Sequence, residues 1–128
     1  MDATAVLTDA AARPLQALDY FWDDLKPDRL NSRPGGHPNS IAWLLWHSAR
    51  QTDAQLAPLM GRAEVWHEGD YKSRFGFDAI DLGLAEIGFQ QRPEDARRIT
   101  MPETEDGKAL LRTYLEAVYH GVRDWVST

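Results

Sequence analysis

Apolar positions recur at helical spacing in three long stretches of the chain. Leu7, Ala11, Leu15, Leu18, Trp22 and Leu25 are separated by steps of three or four, which draws one face of a helix over residues 4–25. Pro14 falls inside that stretch and predicts a kink near Ala10, or a later start, because proline removes one helical hydrogen bond and crowds the preceding turn. A segment with three prolines and two glycines, LKPDRLNSRPGGHP, then reads as a connecting loop. The second stripe is Ile41, Leu44, Leu45, Ser48, Thr52, Leu56 and Leu59. It predicts a helix over 40–60, capped by Asn39 or Ser40 and ended by Gly61, with Pro58 disturbing its last turn. The third, Leu111, Leu115, Val118, Val122 and Trp125 with Tyr114 beside it, is the cleanest and predicts a helix over 107–126.

Residues 61–106 carry no long stripe. Ile80, Leu84 and Ile87 predict one short helix weakened by Gly83 and Gly88, and RPEDARR predicts a helical turn starting at Pro93. No segment alternates convincingly, so the fold class is all-α, a single domain over 1–128 with short helices and ordered loop between the long ones. Helices with such seams usually pack in fours, and this chain has three. One groove is therefore expected to stay uncovered, lined from among Trp22, Leu44, Leu115, Val118, Val122 and Trp125. A further segment or a second copy, giving a homodimer, would cover it.

Composition narrows the function classes. The 128 residues hold no cysteine, which excludes a disulfide framework, a cysteine metal site and a cysteine nucleophile. A net charge of −6 without a basic cluster speaks against nucleic acid. The longest apolar run, Ile41–Trp46, is far short of the ~20 residues of a membrane span, and no signal peptide is visible at the start. A cytoplasmic location fits these features.

The candidate chemistry centres on NSIAWLLWHSAR, residues 39–50. At about 100° per residue, His47 lies off the aliphatic stripe, on a face shared with Trp43, Gln51 and Ala54. A neutral imidazole there is a usable metal ligand or proton carrier. The plainer reading is a ring packed on Trp43 and hydrogen-bonded to a backbone carbonyl. Asp53, about 120° away around the helix, is not placed to orient His47. Arg50, about 60° from His47, is suited either to an anionic ligand or to a salt bridge. Glu116, His120 and Asp124 share one face of the third helix; a metal and an ordinary charged surface are both open readings. His37 and His67 are isolated, and no GxSxG, P-loop or HExxH motif is present.

HPNSIAWLLWHSARQTDAQL, residues 37–56, resembles the signature region of the DinB-like helical proteins. The resemblance is to the branch related to the N-terminal domain of mycothiol-dependent maleylpyruvate isomerase. VWHEGDYKSRFGF and GFQQRPEDARRI resemble later stretches of that branch. The resemblance implies a four-helix bundle running up-down-down-up, with a divalent metal (zinc, nickel or iron) held by three histidines. One of these matches His47. The other two form an H-x3-H pair on a fourth helix, and this sequence contains no such pair. The implied domain is thus C-terminally incomplete, with the pair expected beyond Thr128. The implied activity is that of a transferase or isomerase using a low-molecular-weight thiol such as mycothiol or bacillithiol. The metal would deprotonate that thiol, with Trp43 and Arg50 beside the small-molecule substrate or cofactor. The alternative is a non-enzymatic helical binding or stress-associated module that keeps the bundle without the chemistry.

Overall fold

A computed structural model describes residues 2–128. Its elements are α1 (Ala3–Asp19), α2 (Ile41–Met60), α3 (Val65–Glu68), α4 (Tyr71–Arg74), α5 (Pro93–Ala96) and α6 (Glu105–Val126). Two 3-10 turns, Pro27–Arg29 and Pro34–Gly36, interrupt the first loop. The fold is all-α: among the described residues there is no strand, only an isolated antiparallel bridge between Leu84 and Phe89.

Local chemistry sets the long helices. Asp2, Ser40 and Thr104 cap their N-termini, each side-chain oxygen accepting from the backbone N–H three residues on, at 2.8, 3.0 and 3.0 Å. Gly61, at φ 68°, ends α2 in the left-handed conformation that glycine adopts freely. Pro14 does not delay or split α1, which is continuous from Ala3. The helix does stop at Asp19, six residues before Leu25, and the chain continues in turns.

Side-chain contacts fix the helix directions. Thr8 meets Ser127, and Asp19 meets Arg112, so α1 runs antiparallel to α6. Asp53 meets Tyr114, and Arg62 covers Gly121, so α2 runs parallel to α6. The three long helices therefore run up, down, down. A parallel pair needs a long crossover, here residues 61–104, and that crossover builds much of the core. Trp66, Tyr71, Phe75 and Phe77 pack edge-on or tilted around Trp46 and Tyr114, with ring centroids 4.8–6.5 Å apart. Asn31 ties the first loop to the crossover by donating to the Met101 carbonyl and accepting from its N–H, at 2.8 and 2.9 Å.

The buried face of α2 is not its aliphatic stripe. Ala42, Trp43, Trp46, Ala49, Arg50, Asp53 and Ala57 face the core, while Leu44 is 52% and Leu59 69% exposed. The aromatic crossover explains the choice: indoles supply more contact area than leucines, and the two charges satisfy each other. The short helix predicted around Ile80, Leu84 and Ile87 does not form. Glycines at 83 and 88 take φ of 79° and 86°, and the chain doubles back as a tight turn.

Candidate functional site

Trp43, His47 and Arg50 lie one turn apart on the core-facing side of α2, and all three reach the same loop, residues 82–91. That loop is strained. Besides its two glycines, Ala85, Glu86 and Gln90 have φ of 55°, 57° and 59°, where a Cβ is disfavoured. Ala85 and Glu86 are the central residues of a turn closed by the Ile87 N–H on the Leu84 carbonyl at 3.2 Å. Two successive left-handed residues mark a primed hairpin turn, a position usually held by Asn-Gly. Such conformations cost on the order of 1–3 kcal/mol each and persist only where surrounding contacts over-determine them.

Arg50 supplies the two that fall on the backbone of the strained pair. It is fully buried, and its five N–H groups make five hydrogen bonds. Nε donates to the Glu86 carbonyl at 2.9 Å and Nη2 to the Ala85 carbonyl at 3.1 Å, holding both strained residues. The remaining donors reach Glu64 at 2.7 Å, Asp53 at 3.3 Å and the Tyr114 hydroxyl at 3.2 Å. Its guanidinium also lies over the Trp66 ring, 5.0 Å from the centroid.

Asp53 completes the charge balance. It accepts from the Tyr114 hydroxyl at 2.9 Å and from the N–H groups of Val65 and Trp66 at 2.9 and 2.8 Å. Burial raises the Tyr114 hydroxyl's pKa well above the ordinary value, more than Arg50 lowers it, and neighbouring Asp53 raises it further, so Tyr114 stays a donor. Glu86 is held from the other side by Lys72 at 2.8 Å and by the Trp66 indole N–H at 3.0 Å. Partial burial pushes its carboxyl up, but those bonds outweigh burial and leave it below its ordinary range.

His47 stacks on Trp43, with centroids 4.5 Å apart and planes 20° from parallel. Its Nδ1 bonds to the Ile87 carbonyl. A carbonyl only accepts, so Nδ1 carries the proton, and in the neutral ring Nε2 holds the lone pair. Nε2 has no hydrogen-bond partner among the described residues. The ring faces the loop and not the space between α1 and α6. Trp43 donates its indole N–H to Gln91 at 2.8 Å. The loop backbone lies close against these rings, since a Cβ on Gly88 would come within 2.8 Å of Trp43 and 3.0 Å of Trp46.

Neither Arg50 nor Trp43 offers a spare polar group to a cofactor, because every donor of both is already bonded within the protein. The other histidines are dispersed. His37 accepts from Asn39, and His67 is exposed beside Glu64. On α6, Glu116 pairs with Arg112 at 2.7 Å and Asp124 with Arg123 at 3.2 Å, so the two carboxylates flanking His120 are engaged by arginines. Among the described residues no three His, Cys, Asp or Glu side chains are placed to share a metal ion, and no helix is long and apolar enough to cross a membrane. His47 is one donor, so the residues present do not fit a complete centre, which takes three protein ligands and an open position.

The sequence pairs His47 with a carbonyl in its plainer reading but does not reveal Asp53, Tyr114, Glu86 and Gln91 as partners within the site. The Arg50–Asp53 spacing of three, on one helix face, is the available signal. Compared with known families and with curated proteins, the chain matches no family model and no curated sequence.

Proposed function

We propose that this chain is a helical scaffold contributing one ligand, His47, to a divalent-metal centre that acts on a low-molecular-weight thiol in transfer or isomerisation, in the cytoplasm. The observation that supports this reading is the orientation of the imidazole. Metal-binding histidines donate their second ring N–H to a carbonyl or carboxylate, which fixes the tautomer and the ring plane. His47 does this with Ile87, and the Arg50 clamp holds the residue before Ile87 in turn. The remaining ligands must come from outside the described residues. The resemblance to DinB-like proteins points to zinc, nickel or iron and to a mycothiol-type thiol.

The test is a titration of ring-labelled protein with nickel, followed by histidine NMR. Weak binding is expected, with broadening centred on His47 and abolished by His47→Ala. Broadening of exposed His37 and His67 that leaves His47 sharp would overturn the reading. The second reading, a binding module without chemistry, is favoured by an apolar groove of about 240 Å³ between α1 and α2, lined by Leu18, Leu45, Leu115 and Tyr119 among others, and predicts that second outcome.

A further inference from the structure

The strain in the 82–91 loop serves to place one carbonyl. The peptide between Ile87 and Gly88 lies against the His47 ring. Its N–H, on Gly88, donates to the Leu82 carbonyl at 2.7 Å. The peptide is trans, so its N–H and C=O point opposite ways. The bond to Leu82 therefore aims the Ile87 carbonyl at His47 Nδ1. There is little slack on this side of the ring, since a Cβ on Gly88 would stand 3.4 Å from Nδ1.

That peptide is only as fixed as the turn before it. Glu86 immediately precedes Ile87, and its φ of 57° is a conformation that a residue with a Cβ avoids. Three handles keep it there. Two are the bonds from Arg50 to the carbonyls of Ala85 and Glu86, which lie on either side of the Glu86 Cα. The third is the side chain. One carboxylate oxygen accepts from Trp66 Nε1 at 3.0 Å and the other from Lys72 Nζ at 2.8 Å. Trp66 belongs to α3 and Lys72 to α4, so the short helices of the crossover grip the turn by its side chain while α2 grips it by its backbone. The Lys72–Glu86 pair is about a third exposed, and such a pair adds little stability by itself. Here it fixes the direction of a strained Cβ.

We infer that Glu86 is a positioning residue for His47. The hold of Lys72 and Trp66 on its carboxylate keeps the left-handed turn. Through the Ile87 carbonyl, the turn keeps the proton on Nδ1 and the lone pair on Nε2. The use of that lone pair by a metal rests on the reading above; the choice of tautomer does not.

Ring-nitrogen NMR of the labelled, metal-free chain under mildly alkaline conditions tests this. In the unaltered protein, Nδ1 of His47 should show the protonated shift and Nε2 the unprotonated one. Glu86→Ala removes the grip and leaves a Cβ in the left-handed region, so the two shifts should move toward each other as the ring averages between tautomers. Glu86→Gly removes the same contacts together with the Cβ. Glycine adopts this φ freely, so the turn should persist and the shifts stay apart. Lys72→Met, which leaves the turn's own residues in place, should move the shifts as alanine does, and less far, because Trp66 still holds. Alanine and glycine variants that behave alike, or shifts unmoved in Lys72→Met, overturn the inference. Nickel that leaves His47 sharp while its tautomer is as expected overturns the metal reading and not this one.

Discussion

The two sides of α2 have traded the roles their residues would normally be given. The side rich in leucine faces outward, while the side with two tryptophans, an arginine and an aspartate is buried. The outward side has more aliphatic carbon and almost no structural duty. The inward side supplies the side chains from α2 that hold the 82–91 loop. The comparison teaches that burial follows partnership. Arg50 and Asp53 enter the core because each donor and acceptor has a match, and an ion with matched partners escapes most of the desolvation penalty. A leucine needs only an apolar neighbour, and the groove side offers few within the monomer.

The strongest way to break this contrast is Arg50→Met. It leaves Asp53 buried without its cation and releases the carbonyls of two strained residues, so a loss of about 3–5 kcal/mol is expected in urea denaturation. Replacing both partners by apolar residues should recover part of that loss, since no charge is then stranded. A cost below about 1 kcal/mol for the single variant would mean that the inner side is held by its indoles alone.

Acid should produce a smaller effect on the same side. The Glu86 carboxyl titrates below its ordinary value of 4.5 in the folded protein. Its contribution is therefore complete above pH 4.5 and fades as pH falls from there through the lowered folded value. Glu86→Gln should remove that part of the acid sensitivity. A stability–pH curve unchanged by the substitution would place the holding force in Arg50 only.

The outer side should be nearly silent at low protein concentration. Leu59→Gln is expected to change monomer stability by no more than about 0.5 kcal/mol in the same denaturation assay. A larger loss would mean that the outward leucines support the monomer after all, and the contrast between the two sides would shrink.

Much of the fold was legible in the sequence. The caps at Ser40 and Gly61, both ends of α2 and nearly all of α6 were readable because local hydrogen bonding and a clean stripe decide them. The buried side of α2 was not legible, because it depends on what the crossover brings to it. Trp66, Phe75 and Phe77 lie in a segment with no periodicity, and nothing local says that Trp66 and Phe77 will face Trp46 with Phe75 packed behind them. The turn at Ala85–Glu86 was hidden for a related reason: its residues have no turn preference, and a side chain 35 residues earlier imposes the conformation. For the site, spacing found His47 and its stacking on Trp43 but gave Arg50 no partners, since most of those come from other segments.

The parallel arrangement of α2 and α6 also shapes how the chain reaches this structure. Helices joined by a short turn meet almost as soon as they form. Here the last helix must find both earlier ones across a wide gap in sequence, after α2 has emerged and the crossover has been made. Closing that gap costs chain entropy before any contact repays it. The rate-limiting ensemble should therefore already contain the Trp46–Trp66–Tyr114 cluster, the set of rings that draws residues from α2, the crossover and α6 together. The aromatic core is thus expected to serve as the folding nucleus: mutations there should slow folding, whereas those along the outer leucines should leave the rate unchanged, which stopped-flow refolding of the two sets of variants checks.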